Sequence, residues 1–161
     1  MTSKTDYTED EWAKLRRAPM IAGMAISIAD PGGPIEITRE TLTTLKAASS
    51  PPSGEELLTA IAQDISAMAQ QKQNPIGDFK VSNASLAATQ ILKELQGASA
   101  VAKAKGTPEE ADAFGRWMVA VSKAAADAAK EGGFLGFNAE RVSAGEQDML
   151  TRVAQAVGAA S

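Results

Sequence analysis

Apolar residues recur along this chain at steps of three and four, the spacing of one face of an α-helix. The pattern is most regular in two stretches. Ala84, Ala88, Ile91, Leu95, Ala98 and Ala102 form one stripe, and Ala111, Phe114, Met118, Val121, Ala125 and Ala128 form the other. Alternating steps of four and three are the contact spacing of a left-handed, nearly antiparallel helix pair. Between the stripes Gly106 closes one helix, and Thr107-Pro108-Glu109-Glu110 opens the next with an N-cap, a first-turn proline and a capping glutamate. So short a link makes 84–104 and 108–131 an antiparallel hairpin.

The remaining segments read in the same way. A polar lead over 1–7 is expected to fray. Thr8-Glu9-Asp10-Glu11 spells a capping box, so a helix starts near Glu9 with Trp12 and Leu15 facing inward. Pro19 removes a backbone donor within that run and predicts a kink or a break. From Ala18 to Ala29 nearly every residue is apolar, and Asp30-Pro31-Gly32-Gly33-Pro34 stops the helix. A short helix over Thr38 to Ala48 follows, with Leu42 and Leu45 inward. Ser53-Gly54-Glu55-Glu56 is a second capping box, opening a helix from Gly54 to about Gln73 whose stripe is Leu57, Ile61, Ile65 and Met68. Asn74-Pro75-Ile76-Gly77 ends it, and Phe79 anchors the connector to the hairpin. Ser143-Ala144-Gly145-Glu146 opens a last helix, which runs to about Val157 and buries Leu150, Val153 and Val157. The fold class is therefore all-α, a compact bundle of five or six helices around a central antiparallel Ala-rich hairpin. Its expected organisation is a flexible N-terminal lead over 1–7 and a single helical-bundle domain over 8–161.

Composition supports that reading and removes chemistry. Alanine, the best helix former and a poor strand former, dominates, while aromatic residues make up only 4%. At 161 residues the chain can bury a core without a disulfide or a metal. There is no Cys, so thiol catalysis, iron–sulfur clusters and thiolate zinc sites are excluded. There is no His, so the commonest general base and metal ligand are missing too. Without Glu-x-x-His pairs a ferritin-like diiron centre cannot be built, and no Asp-x-Asp-x-Asp-Gly loop offers a calcium site. No cofactor and no metal site is expected. A net charge of −4 argues against a nucleic-acid surface.

The remaining candidates each have a plainer reading. Glu11, Glu56, Glu110 and Glu146 are accounted for as helix caps. Asp64 and Asp127 lie nearest apolar stripes, and both read as solvent-facing or salt-bridged. Ser122-Lys123 juxtaposes a nucleophile and an amine, but adjacent helical residues point apart. Lys14-Leu15-Arg16-Arg17 ahead of the apolar run imitates a signal peptide ending Ser27-Ile28-Ala29. An acidic stretch precedes it, however, and the run is too short to span a bilayer, so a buried core helix is preferred.

The most distinctive stretch is Lys130-Glu131-Gly132-Gly133-Phe134-Leu135-Gly136-Phe137, followed by Arg141-Val142-Ser143-Ala144-Gly145-Glu146. Its glycines suit a left-handed cap and turns, with Phe134, Leu135 and Phe137 plugging the end of the bundle. They could alternatively form a docking loop (Gly132, Gly133, Phe134, Leu135, Gly136, Phe137) or cradle an anion, though no Gly-Lys-Ser/Thr follows. Phe134 is expected buried and Phe137 more exposed. The string resembles the C-terminal signature of small all-helical bacterial proteins of unassigned function, with Asn138 where those proteins continue with Gly. That resemblance implies an all-helical fold and carries over no catalytic residue.

The functional expectation is a non-catalytic cytoplasmic helical interaction module that binds protein, itself or another chain, and neither nucleic acid nor membrane. The alternative is a carrier of a small apolar ligand between helices lined by Met20, Met24, Met68 or Met118. Such methionines more often fill a core. An enzyme using only Asp, Glu, Lys, Ser or Tyr has no motif to support it.

Overall fold

A computed structural model describes residues 3–29, 34–77, 79–131 and 144–159. The described residues hold six α-helices and no strand: α1 Glu9–Ala29, α2 Pro34–Ala48, α3 Glu56–Gln70, α4 Ala87–Lys105, α5 Pro108–Glu131 and α6 Ala144–Ala156. Short 3₁₀ turns at Lys4–Asp6 and Ala84–Leu86 precede α1 and α4. The bundle is organised around α1. It packs against both arms of the α4–α5 hairpin, and more extensively than the arms pack against each other, while α2 lies chiefly on α5.

The capping boxes at Thr8 and Thr107 form as their spelling requires. The Thr8 amide donates to the Glu11 carboxylate (2.9 Å) and the Glu11 amide to Thr8 Oγ1 (3.1 Å). Thr107 and Glu110 repeat the exchange at 3.0 and 3.1 Å. The stripes of the hairpin are inward: Ile91, Leu95, Ala98, Ala102, Phe114, Met118, Val121 and Ala125 are all fully buried. Leu15, Ile21 and Ile26 of α1 complete the centre of the core.

Several expectations are corrected. Pro19 does not break α1, which is continuous from Glu9 to Ala29. A mid-helix proline costs about 3 kcal/mol. Burying Leu15, Ile21 and Ile26 around it contributes about 1.5–3 kcal/mol each, so packing wins. The second helix starts at Pro34 rather than Thr38, with proline at its first turn. Leu42, expected inward, is 64% exposed, and Thr44 and Ala48 turn to the core instead. The cause lies in α1: Gly23 offers no side chain, α2 approaches until a Cβ there would overlap Thr44, and so small residues must form the contact. The third helix runs from Glu56 to Gln70, shorter at both ends than 54–73. Its N-cap is Glu55, with no side-chain cap bond, so neither the Ser53 box nor the capping role of Glu56 is realised. Its end is a Schellman turn in which the Gln73 amide reaches the Met68 carbonyl (2.8 Å) and the Lys72 amide the Ala69 carbonyl (3.0 Å). Lys72 takes the left-handed conformation (φ 58°) that glycine would adopt more readily. At the end of α6 the equivalent residue is Gly158 (φ 68°).

Candidate functional site

Buried polar side chains in this bundle tie helices together. Ser122 Oγ on α5 donates to the Ala22 carbonyl of α1 (2.7 Å). Ser99 Oγ on α4 donates to the Val157 carbonyl at the end of α6 (3.1 Å). Trp117 Nε1 donates to the Ala47 carbonyl in the last turn of α2 (3.0 Å). Helix C-termini leave carbonyls without intrahelical partners, and the latter two bonds satisfy such groups from a neighbouring helix. Ser122 is thus committed to the backbone and Lys123 points to solvent, so they form no dyad.

The docking loop Gly132, Gly133, Phe134, Leu135, Gly136 and Phe137 lies outside the described residues, as does the expected contrast between Phe134 and Phe137. Asp127 is exposed. Met118 and Met20 are in the core, and Met24 is packed against it. Among the described residues no group of three or more metal-ligating side chains is brought together, and no helix is long and apolar enough to cross a membrane.

The side-chain cluster that remains surrounds Asp64 on α3. Trp12, the inward residue of the first turns of α1, donates its indole N–H to Asp64 Oδ2 (2.9 Å). Lys4 Nζ stands 3.4 Å and Arg16 Nη1 3.6 Å from the same oxygen. Tyr7 packs on Trp12 with ring centroids 5.6 Å apart. Lys4, Tyr7, Trp12 and Arg16 line a cleft of about 570 Å³ together with Glu9 and Asp10. Beside it Lys105 at the end of α4 bonds the Glu11 carboxylate (2.6 Å) and the Asp6 carbonyl (3.1 Å).

These contacts set the charge state. Partial burial pushes the Asp64 carboxyl up, but the Trp12 N–H and the Lys4 and Arg16 cations outweigh it and hold the group below its ordinary value. The Lys105 ammonium and the Thr8 amide hold Glu11 low as well. An acid–base catalyst needs a pKa near the working pH, and both carboxylates are displaced the other way. The cluster joins α1, α3 and the segment ahead of α1 through charges of both signs beside two aromatic rings. The sequence places Trp12 inward and leaves Asp64 as either solvent-facing or salt-bridged, of which the structure shows the second. Sequence reasoning misses their partnership, for which the one available signal is that a buried indole N–H requires an acceptor.

No protein family matches this chain, and no curated protein or solved structure matches it.

Proposed function

We propose that this chain is a non-catalytic helical interaction module of the cytoplasm whose partner is protein, a second copy of itself in the first instance. The observation that carries this reading is Leu42. It belongs by periodicity to the inner face of α2, yet stands 64% exposed, with Leu86 the other large apolar side chain on the described surface at 50%. Covering an exposed leucine removes apolar surface from water and so favours association. The charged cluster supports the same reading, since its acids are held ionised by structural partners. The bacterial kinship suggested by the Gly-Phe signature belongs to this proposal and adds an all-helical expectation only.

Sedimentation velocity over a wide concentration range tests it. The expected result is a concentration-dependent shift to a larger species that Leu42→Glu abolishes while leaving the helical content intact. If the unmodified chain stays monomeric, self-association is overturned. A protein that co-purifies with the unmodified chain and is lost with Leu42→Glu would assign the surface to another partner. Indifference of both readouts to Leu42→Glu overturns the proposed surface.

A further inference from the structure

Residues 3–7 are held to the bundle by one buried ring, Tyr7, and by two lysine contacts at their flanks. Lys105 Nζ is shared between the Glu11 carboxylate (2.6 Å) and the Asp6 carbonyl (3.1 Å), and lies 5.8 Å from the centre of the Tyr7 ring. On the other flank Lys4 reaches Asp64 at 3.4 Å and lies 5.8 Å over the Trp12 ring. Within the segment the Ser3 amide donates to the Asp6 carboxylate (2.7 Å), and the Asp6 and Tyr7 amides close a single 3₁₀ turn. Tyr7, 8% exposed, is its one buried side chain. The helix behind it has its own end: Thr8 and Glu11 cap α1 with bonds that do not involve residues 3–7.

From this arrangement we infer that residues 3–7 form a detachable strap, latched by Lys105 and Lys4, whose release opens the Trp12 indole to solvent while the six helices stay folded. The inference is independent of the partner proposed above. The Lys4–Asp64 latch is a partly exposed ion pair, which salt screens and which contributes little by itself. Lys105 holds the strap through the Asp6 carbonyl and the Tyr7 ring, and is itself placed there by its exposed pair with Glu11. Segments secured in this way open locally, well below the free energy of global unfolding. Release requires no change in the helix ladder. The groups facing the latches are few: Lys4, Trp12 and Arg16 around Asp64, Lys105 and Thr8 around Glu11, and Glu9 and Asp10 along the cleft. Protonating Asp64 removes the ionic partner of Lys4, and protonating Glu11 frees Lys105 from the carboxylate that positions it against the Asp6 carbonyl. The strap is therefore closed at neutral pH and low salt, and opens in acid or at high ionic strength.

Hydrogen exchange of the full chain tests this, corrected for intrinsic exchange rates. In high salt, or with Lys105→Met at low salt, the Asp6 and Tyr7 amides should exchange about tenfold faster or more, while α5 keeps its protection. Lys105→Arg should stay near the unmodified chain. Loss of protection in the strap and in α5 together would overturn the inference, because the segment would then be an integral part of the fold. Strap amides indifferent to both salt and Lys105→Met would overturn it as well. Should Lys105→Met fail to fold, the salt titration of the unmodified chain decides between the same outcomes.

Discussion

The chain has two tryptophans, and they solve the same problem in different ways. Trp12 is 3% exposed and Trp117 is 1% exposed, and each has an aromatic neighbour, Tyr7 at 5.6 Å and Phe114 at 6.5 Å. Each donates its indole N–H at nearly the same distance, 2.9 Å for Trp12 and 3.0 Å for Trp117. The acceptors differ. Trp117 reaches a backbone carbonyl of α2, a group with no charge to lose, whereas Trp12 reaches a carboxylate surrounded by cations. Area burial alone would rank the two alike. The acceptor makes one region indifferent to pH and salt and the other dependent on both. The two tryptophans thus hang on a neutral and an ionic anchor, and perturbations should separate them.

The largest expected effect removes the rings themselves. Truncating a buried aromatic costs about 3–5 kcal/mol, a large share of the roughly 5–15 kcal/mol of a whole domain. Trp117→Ala should fall at the upper end, about 5 kcal/mol, because the ring is buried among core residues and also gives up its bond to α2. Trp12→Ala should lie near the lower end, about 3 kcal/mol, because its neighbour is a strap that can follow the smaller side chain. Urea denaturation of the two variants measures this. Equal losses would erase the distinction between the two anchors.

Next comes the acceptor. Asp64→Ala leaves the Trp12 N–H without a partner and two cations without a counter-charge, which should cost about 1.5–3 kcal/mol at neutral pH. Acid should reproduce part of this in the unmodified chain. The folded-state pKa of Asp64 is depressed, so its stabilising contribution is present above the unfolded value of about 4 and is lost as pH falls through the folded one. Glu11 has the same sign. Trp12 emission, followed in Trp117→Phe, should shift before Trp117 emission, followed in Trp12→Phe. Coincident transitions would mean that both regions unfold as one unit.

Why the core was legible in the residues and the Trp12 cluster was not follows from range. The hairpin stripes, the Thr8 and Thr107 boxes and the apolar run of α1 are local: spacing, caps and breakers all fall within one helix length. The Trp12–Asp64 bond joins residues 52 positions apart, and no local period connects them. Leu42 was misplaced because periodicity ranks a leucine above a threonine, whereas the contact that orients α2 is decided by an absent side chain at Gly23 on another helix. Lys72 gave no warning of the end of α3, since the left-handed position that glycine usually marks is occupied by a residue with ordinary helix propensity. The segment 3–7 is polar in composition, yet it carries the only tyrosine in the chain, and that tyrosine is buried. Of the candidate site, the inward Trp12 is readable, Asp64 is left between solvent-facing and salt-bridged, and the bond that joins the two is not readable.

A smaller effect belongs to the neutral side. Ser122 is fully buried and its hydroxyl donates to the Ala22 carbonyl, so Ser122→Ala removes one neutral hydrogen bond. The expected cost is about 1 kcal/mol, with no dependence on salt and none on pH from neutrality down to the carboxylate range. A chemical denaturation series at several salt concentrations should give parallel lines for this variant and the unmodified chain. Convergence of the lines at high salt would mean that the core also depends on charge, and the two-region description would fail.

The smallest effect sharpens the comparison most. Lys4 makes the one contact between the strap and α3 that is ionic at both ends, yet its side chain is 57% exposed and 3.4 Å from Asp64. Exposed pairs of that length contribute between about 0.2 and 1 kcal/mol, and solvent screening places this one near the bottom of the range. Lys4→Ala should therefore leave the melting temperature of the bundle almost unmoved. It should nonetheless remove one of the three groups that hold the Asp64 carboxyl down, so the acid response of Trp12 should begin at higher pH than in the unmodified chain while Trp117 stays where it was. The measurement is a pH titration of the two emissions in matched Lys4 and Lys4→Ala proteins. A shift confined to Trp12 would show that the ionic anchor is tuned by charge independently of global stability. A shift in neither would show that the Trp12 N–H and Arg16 suffice to hold Asp64, and Lys4 would then be no latch at all.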